Sequence, residues 1–265
     1  MKSIVKHLSV CSIIVFFALS AMAGQTECPE HFTNGQPPTL INQKLSALTR
    51  DVCYSGFAIK HSGVTRTPLY AAEYLTRERL IQGKGLKRQS QFHADEHIPA
   101  AERAELHHYA RSGYDRGHVA PSADMFDVQS QQECFTLANM IPQVPEINRV
   151  PWEGIESTVR KMAERAGELY VVTGPIYSGD NLQRIGGAVL VPTQTFKAIY
   201  DPKLKQAGAY LIDNAENAQP QQISVAELEK LAGISIFPSV KEDIKVKLME
   251  LPKPKSFKER KRKGD

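Results

Sequence analysis

Between residues 45 and 252 the chain alternates many short strand-forming runs with few helical ones, and no strand–helix–strand rhythm orders them. That pattern points to an α+β fold rather than a parallel doubly wound one. Residues 52–61 alternate like a strand, and 69–74 form a second run with tyrosine at both ends. Residues 133–141 read as a buried strand and 169–173 as an apolar one. Residues 188–191, 195–200 and 208–212 add three more. Residues 77–90 read as a loop or short turn, 97–111 as a short helix at most because Pro99 interrupts the start, and 113–127 show no clean period. Residues 148–166 have helical spacing, with Pro151 tolerated in the first turn. Ser224-Val-Ala-Glu227 is a capping box that opens a helix to about Leu231. Hydrophobic residues make up 42% of 265 and charged residues 23%, enough for a real core. This excludes a disordered chain, collagen, a coiled coil and a polytopic membrane protein.

The ends differ from this body. Residues 1–23 carry Lys2 and Lys6, then an apolar run, then Ala21-Met22-Ala23. They read as a secretory signal peptide, with export to the periplasm or the medium and no integral membrane segment after cleavage. Residues 24–44 form an N-terminal arm, 45–252 one domain, and 253–265 a basic tail. Cys28 and Cys53 are expected to pair and staple the arm to the first strand, while Cys134 is expected as a buried free thiol. The tail holds seven basic against two acidic residues, so residues 24–252 carry a net charge near −3. The body is not globally basic; the tail reads as a grip on phosphate or simply as a solvated end.

Chemistry concentrates in Gly113-Tyr114-Asp115-Arg116-Gly117-His118-Val119-Ala120-Pro121. Arg116 and His118 flank a glycine, which lets backbone approach a ligand. A guanidinium pairs phosphate oxygens, and imidazole takes up a proton near neutral pH. Downstream lie Asn139-Met140-Ile141-Pro142-Gln143, Asn148, Trp152, Glu156 and Arg160. At 100° per residue, Glu156 and Arg160 fall 80° and 120° from Asn148 on a helix, so all three can face one cleft.

These blocks resemble the D-R-G-H signature and the second conserved block of the DNA/RNA non-specific endonucleases, a ββα-metal nuclease family. The resemblance implies a central, mostly antiparallel sheet flanked by helices. It implies hydrolysis of phosphodiester bonds in DNA and RNA to 5′-phosphate products, through phosphate contacts that carry no base information. It assigns His118 as general base and Asn148 as the ligand of one Mg²⁺, with Mn²⁺ as a substitute. Arg116 is expected to position the phosphate, Glu156 to hold metal-bound water, and Arg160 to contact the phosphate. Asn139 is expected to support the site by hydrogen bonding. Arg88 falls where relatives place a phosphate-contacting arginine, and Lys87 or Arg66 compete for that place. Asp115 reads as orienting the turn rather than as a ligand. A homodimer is common in the family, although no interface is legible here.

Two other readings compete. His93-Ala-Asp-Glu96-His97 matches the H-x-x-E-H pattern of inverted zinc peptidases, which needs a continuous helix with both histidines on one face. Pro99 argues against that helix, and His107-His108 reads as surface. The same fold could also serve a binding protein without turnover, a reading weakened because every site residue is present.

Overall fold

The computed structural model describes residues 26–255; the segment expected as a signal peptide (1–23) and all but the first three residues of the basic tail lie outside them. Among the described residues, seven strands form one antiparallel sheet. They are β1 (Thr49–Cys53), β2 (Ala58–Ser62), β3 (Thr67–Thr76), β6 (Glu168–Ile176), β7 (Gln194–Asp201), β8 (Gln206–Asp213) and β9 (Gln221–Ile223). Their order across the sheet is β9-β8-β7-β6-β3-β2-β1. A separate two-stranded ribbon joins β4 (Asp115–His118) to β5 (Met140–Gln143), also antiparallel. Helices are fewer: α1 (Arg77–Gln82), α2 (Val128–Glu133), α3 (Glu153–Ala166) and α4 (Val225–Ala232) matter most.

Two of the expected elements divide. The run at 52–61 breaks into β1 and β2 because Tyr54 N–H donates to the Phe57 carbonyl across a turn (2.9 Å). The run at 133–141 is buried, but only Met140–Gln143 is strand. The preceding backbone bonds mostly within local turns, Phe135 N–H to the Gln132 carbonyl (3.2 Å) and Thr136 N–H to the Glu133 carbonyl (3.0 Å), with one bridge to His93. Thr136 Oγ1 accepts from Ala138 N–H (3.3 Å) and Asn139 Nδ2 donates to the Cys134 carbonyl (2.9 Å). A turn rather than a strand therefore satisfies these groups.

The expected helix at 148–166 starts earlier and differently. Pro145–Ile147 makes one α-turn, Asn148–Trp152 widens into a π-turn around Pro151, and α3 then runs to Ala166. Proline cannot donate to the carbonyl four residues back, and a wider turn accommodates it. The simple 100° arithmetic between Asn148 and Glu156 does not survive that π-turn. Gly167, at φ +96°, ends the helix in a conformation that other residues resist.

The sheet buries both faces, so its strands carry apolar residues on each side. Towards one face, Tyr70, Ala72, Val172, Phe196, Ala198, Ala209 and Leu211 meet Val225 and Leu228 of α4, together with Cys28 and Phe32 of the arm. A disulfide between Cys28 and Cys53 ties that arm to the end of β1. Closing a loop of this size is worth about 3 kcal/mol in the chain-entropy model. Cys134 is a buried free thiol.

Towards the other face, Leu75, Leu169, Val171, Ile199, Tyr210 and Ile212 receive Trp152, Ile155, Val159 and Ala163. The helical residues recur at three- and four-residue spacing, which makes one apolar stripe along α3. Beside α3 on this face, Ile59 and Ala71 pack with Val119, Ala120, Phe135 and Ile141 of the ribbon segment. The ribbon and α3 therefore stand side by side on one rigid sheet face.

Candidate active site

His118 ends β4, and its backbone register is set by the pairings Gly117 with Ile141 and His118 with Met140. Gly117 is the only residue type that fits there: a Cβ would lie 2.3 Å from Gln143 Oε1 and 2.8 Å from Gln143 Cβ. Beyond His118 the chain is clamped by Asn139. Its Oδ1 accepts from Ala120 N–H (2.8 Å), and its Nδ2 donates to the carbonyls of Ala120 (2.8 Å) and Cys134 (2.9 Å). The Asn139 amide is thus used on the backbone two residues beyond His118 and on that of Cys134.

The imidazole of His118 stands edge-on to Phe135 (4.8 Å between centroids) and tilted to Phe92 (5.8 Å). Two guanidiniums flank these rings. Arg116 lies 4.2 Å above Phe92, and Arg88 lies 5.0 Å above Phe135 while donating to Ser122 Oγ (2.6 Å). His118 Nε2 and Arg116 Nε are both buried without a hydrogen-bond partner. Burial, then the Arg88 charge, pushes the His118 pKa down to about 3. The ring is therefore neutral at physiological pH, and a phosphodiester anion beside it would raise its basicity. An unbonded, neutral ring nitrogen can accept a proton, and the guanidiniums stacked on the two rings beside it can pair an anion.

Asn148 opens the π-turn, and its amide is oriented by Asp115 at the start of β4: Nδ2 donates to Asp115 Oδ2 (2.9 Å). Arg149 reinforces Asp115 through Nε (2.8 Å) and Nη2 (2.7 Å). Burial would raise the Asp115 pKa, but the bonds from Arg149 and Asn148 outweigh it and hold the carboxyl below its usual range. Asp115 is thus an orienting group, and Arg149 is a supporting residue that no sequence motif marked.

Glu156 and Arg160 project from α3. Arg160 Nη1 donates to Asp124 Oδ1 (2.7 Å), in the turn that follows the D-R-G-H segment. Burial, opposed by Arg160 and Lys197, pushes the Glu156 pKa up to about 7. Asp124 was missed in the sequence because it lies in a stretch without periodicity. The Ser122–Asp124 turn joins the two halves: Ser122 receives Arg88 and Asp124 receives Arg160. The structure thus links Arg88, Arg116, His118 and Asn139 on one side, and Asn148, Glu156 and Arg160 on the other, through Asp115 and this turn.

The Asn148 carbonyl oxygen suits a hard divalent cation, because tying the amide nitrogen to Asp115 keeps that oxygen available. Among the described residues no group of three or more His, Cys, Asp or Glu side chains is placed to hold a metal. The H-x-x-E-H stretch is not helical: His97 bonds Asp95 (2.8 Å) and His93 makes an isolated bridge to Thr136. It lacks the helix that a zinc peptidase motif requires.

Comparison with known proteins identifies a family. Residues 36–243 match the model of the DNA/RNA non-specific endonuclease family. The chain is 35% identical over 200 residues to the mitochondrial nuclease 1 of Schizosaccharomyces pombe, covering 66% of this chain and 62% of that protein. It is 31% identical over 208 residues to the mitochondrial nuclease EXOG of Danio rerio, covering 71% and 60%. The chain thus spans about three fifths of the length of these relatives. A crystal structure of an EndoG/EndoGI complex superposes with a TM-score of 0.68 at 27% identity, covering 75% of this chain and 89% of that one. The mitochondrial relatives point away from a periplasmic or secreted location, so the destination expected from residues 1–23 is corrected. No helix among the described residues is long and apolar enough to cross a membrane.

Proposed function

The chain belongs to the DNA/RNA non-specific endonuclease family, whose ββα-metal architecture its α+β fold shares, and from that premise we propose that it hydrolyses phosphodiester bonds of DNA and RNA with His118 as general base. The single observation that carries this reading is the buried, unbonded Nε2 of His118, whose ring packs on Phe92 and Phe135, the same two rings that carry Arg116 and Arg88. The catalytic unit is residues 45–252, braced by the 24–44 arm and followed by the 253–265 tail.

Arg88 and Arg116 bind the scissile phosphate and bring it beside His118. Their stacking on Phe135 and Phe92 holds both guanidiniums in place before substrate arrives, which lowers the cost of ordering them. His118 takes a proton from the attacking water, and the 3′-oxygen departs to leave a 5′-phosphate. Asn139 keeps the base in register. Asn148, oriented by Asp115, would hold Mg²⁺, with Mn²⁺ as a substitute, and the bound ion would supply neutralisation of phosphate charge and stabilisation of the departing oxygen. Glu156 orders water on the α3 side, and Arg160 holds Asp124 while lending positive charge to the phosphate.

The test is cleavage of supercoiled plasmid and of structured RNA with Mg²⁺ or EDTA, alongside Asn148→Ala. Cleavage of both substrates, abolished by EDTA and reduced at least a hundredfold in the variant, is expected. A folded, Mg²⁺-supplied chain that binds DNA without cutting it would overturn the reading.

A further inference from the structure

Arg160 turns one side of α3 towards the site; a second group of cations stands on another side. Lys161 and Arg165 are both exposed and lie four residues apart, so they are neighbours on one helix face. At 100° per residue that face lies 100° to 140° round the helix from Arg160, which reaches Asp124. The facing wall is the segment that carries Lys253 and Lys255, and a groove of about 200 Å³ runs between the two walls.

Both walls are fixed by the fold. The apolar stripe of α3 packs on the sheet, and Leu251 is buried in the same cluster. Leu251 N–H donates to Gln222 Oε1 (3.2 Å), and its carbonyl accepts from Gln222 Nε2 (2.8 Å). Tyr210 Oη donates to the Pro252 carbonyl (2.5 Å). The cations are not neutralised in place. Among the described residues, the side chains of Lys161, Arg165 and Lys253 enter no salt bridge or hydrogen bond, and no carboxylate lines the groove. Glu164, between the two α3 cations in sequence, pairs with Lys84 instead (3.1 Å). Like charges gathered along a concave wall raise and focus the local potential, here in a body whose net charge is near −3.

The complement is an anion whose charges repeat over several ångströms. A membrane surface would also take apolar side chains, and the large exposed apolar residues among those described lie outside the groove. A nucleic-acid backbone fits better: its charge recurs about every 3.4 Å along a strand, and Lys and Arg pair it without reading bases. Beyond Lys255 the sequence continues the same sign, with Lys258, Arg260, Lys261, Arg262 and Lys263 against two acidic residues. A helix with its side chains is about 10–12 Å across. About three to four nucleotides therefore span from the Arg160 side of α3 to the groove.

Resting on the proposed nuclease reading, we propose that the groove between α3 and the 252–255 segment is an exosite for the phosphate backbone of the nucleic-acid substrate. It holds a strand that extends beyond the active site, and so acts on the capture of long substrates and not on the chemical step.

The test compares the full chain with Lys161→Gln/Arg165→Gln. A control, Lys44→Gln/Lys230→Gln, removes the same charge from exposed positions on elements packed against the other sheet face. Binding of a duplex of about 30 base pairs is followed across salt concentrations in EDTA, where nothing is cut. The groove variant should lower the slope of log K against log salt by about 1.8, the value for two lost phosphate contacts, while the control keeps the wild-type slope. In Mg²⁺ its KM for plasmid should rise severalfold with kcat within twofold, and cleavage of a tetranucleotide should not change. Melting temperatures near wild type confirm that both variants fold. A groove variant with the wild-type salt slope would overturn the proposal, as would an equal loss of slope in the control. Loss of binding to anionic lipid vesicles with an unchanged DNA slope would also overturn it and give the groove to a membrane. A wild-type chain that binds DNA without cutting it would sink the nuclease reading, while the salt slopes still decide the groove.

Discussion

The side chains around His118 divide between groups that face a ligand and groups that fix them. His118 and Arg116 each keep a buried nitrogen unbonded, while Asn139 spends its amide on backbone and Asp115 spends its carboxylate on Asn148 and Arg149. The sequence makes most of these residues visible because they sit in two compact motifs. Asp124 stayed hidden: it is an isolated charged residue whose meaning depends on a neighbour far along the chain. Glu156 gives a pH prediction at this scale. Its folded pKa, about 7, lies above the ordinary carboxylate value of 4.5. The folded state therefore binds more protons than the unfolded state between those values, and stability falls as pH rises from about 4.5 to about 7. In EDTA, Glu156→Gln should lose that dependence, a relative gain of order 2 kcal/mol at pH 7.5 over pH 4.5. Chemical denaturation at the two pH values measures it, and parallel curves for both proteins would refute it.

Among the elements, the β4–β5 ribbon and the π-turn before α3 determine the geometry. The sheet strands were readable because alternation and β-branched or aromatic residues mark them. The single run at 52–61 hid a turn, since Tyr54 and Phe57 are apolar enough to continue a strand pattern. The π-turn was not readable: Pro151 signals a disturbed helix but does not say how the helix absorbs it. Gly117 tests the ribbon. Any side chain there meets Gln143, so Gly117→Ala must part the two strands or displace a buried amide. We expect a loss of about 1–3 kcal/mol in stability, as for overpacked cores. A larger proportional loss of activity should follow, because His118 is the adjacent residue. Thermal melts and plasmid cleavage on the same preparation would reveal it, and a variant with an unchanged melt and full activity would contradict the ribbon account.

For the whole molecule, charge and fold tell different stories. The body carries a net charge near −3, yet cations gather locally at Arg88 and Arg116, and again where Lys161, Arg165, Lys253 and Lys255 line a groove of about 200 Å³ behind α3. The tail, residues 253–265, holds seven basic residues against two acidic ones. The fold class followed from the absence of a strand–helix rhythm, and its cellular destination did not, since a leader-like segment reports composition rather than address. Removing residues 253–265 should weaken binding of long DNA and flatten its salt dependence, with little effect on a short oligonucleotide. Filter binding across salt concentrations tests this, and identical salt slopes would count against a role for the tail. The central claim is that His118 is the base. Its most direct measurement is single-turnover plasmid cleavage by folded His118→Ala in Mg²⁺, with and without added imidazole. The account predicts a rate at least a hundredfold below wild type and partial recovery with imidazole. A rate within threefold of wild type, unaffected by imidazole, would contradict it.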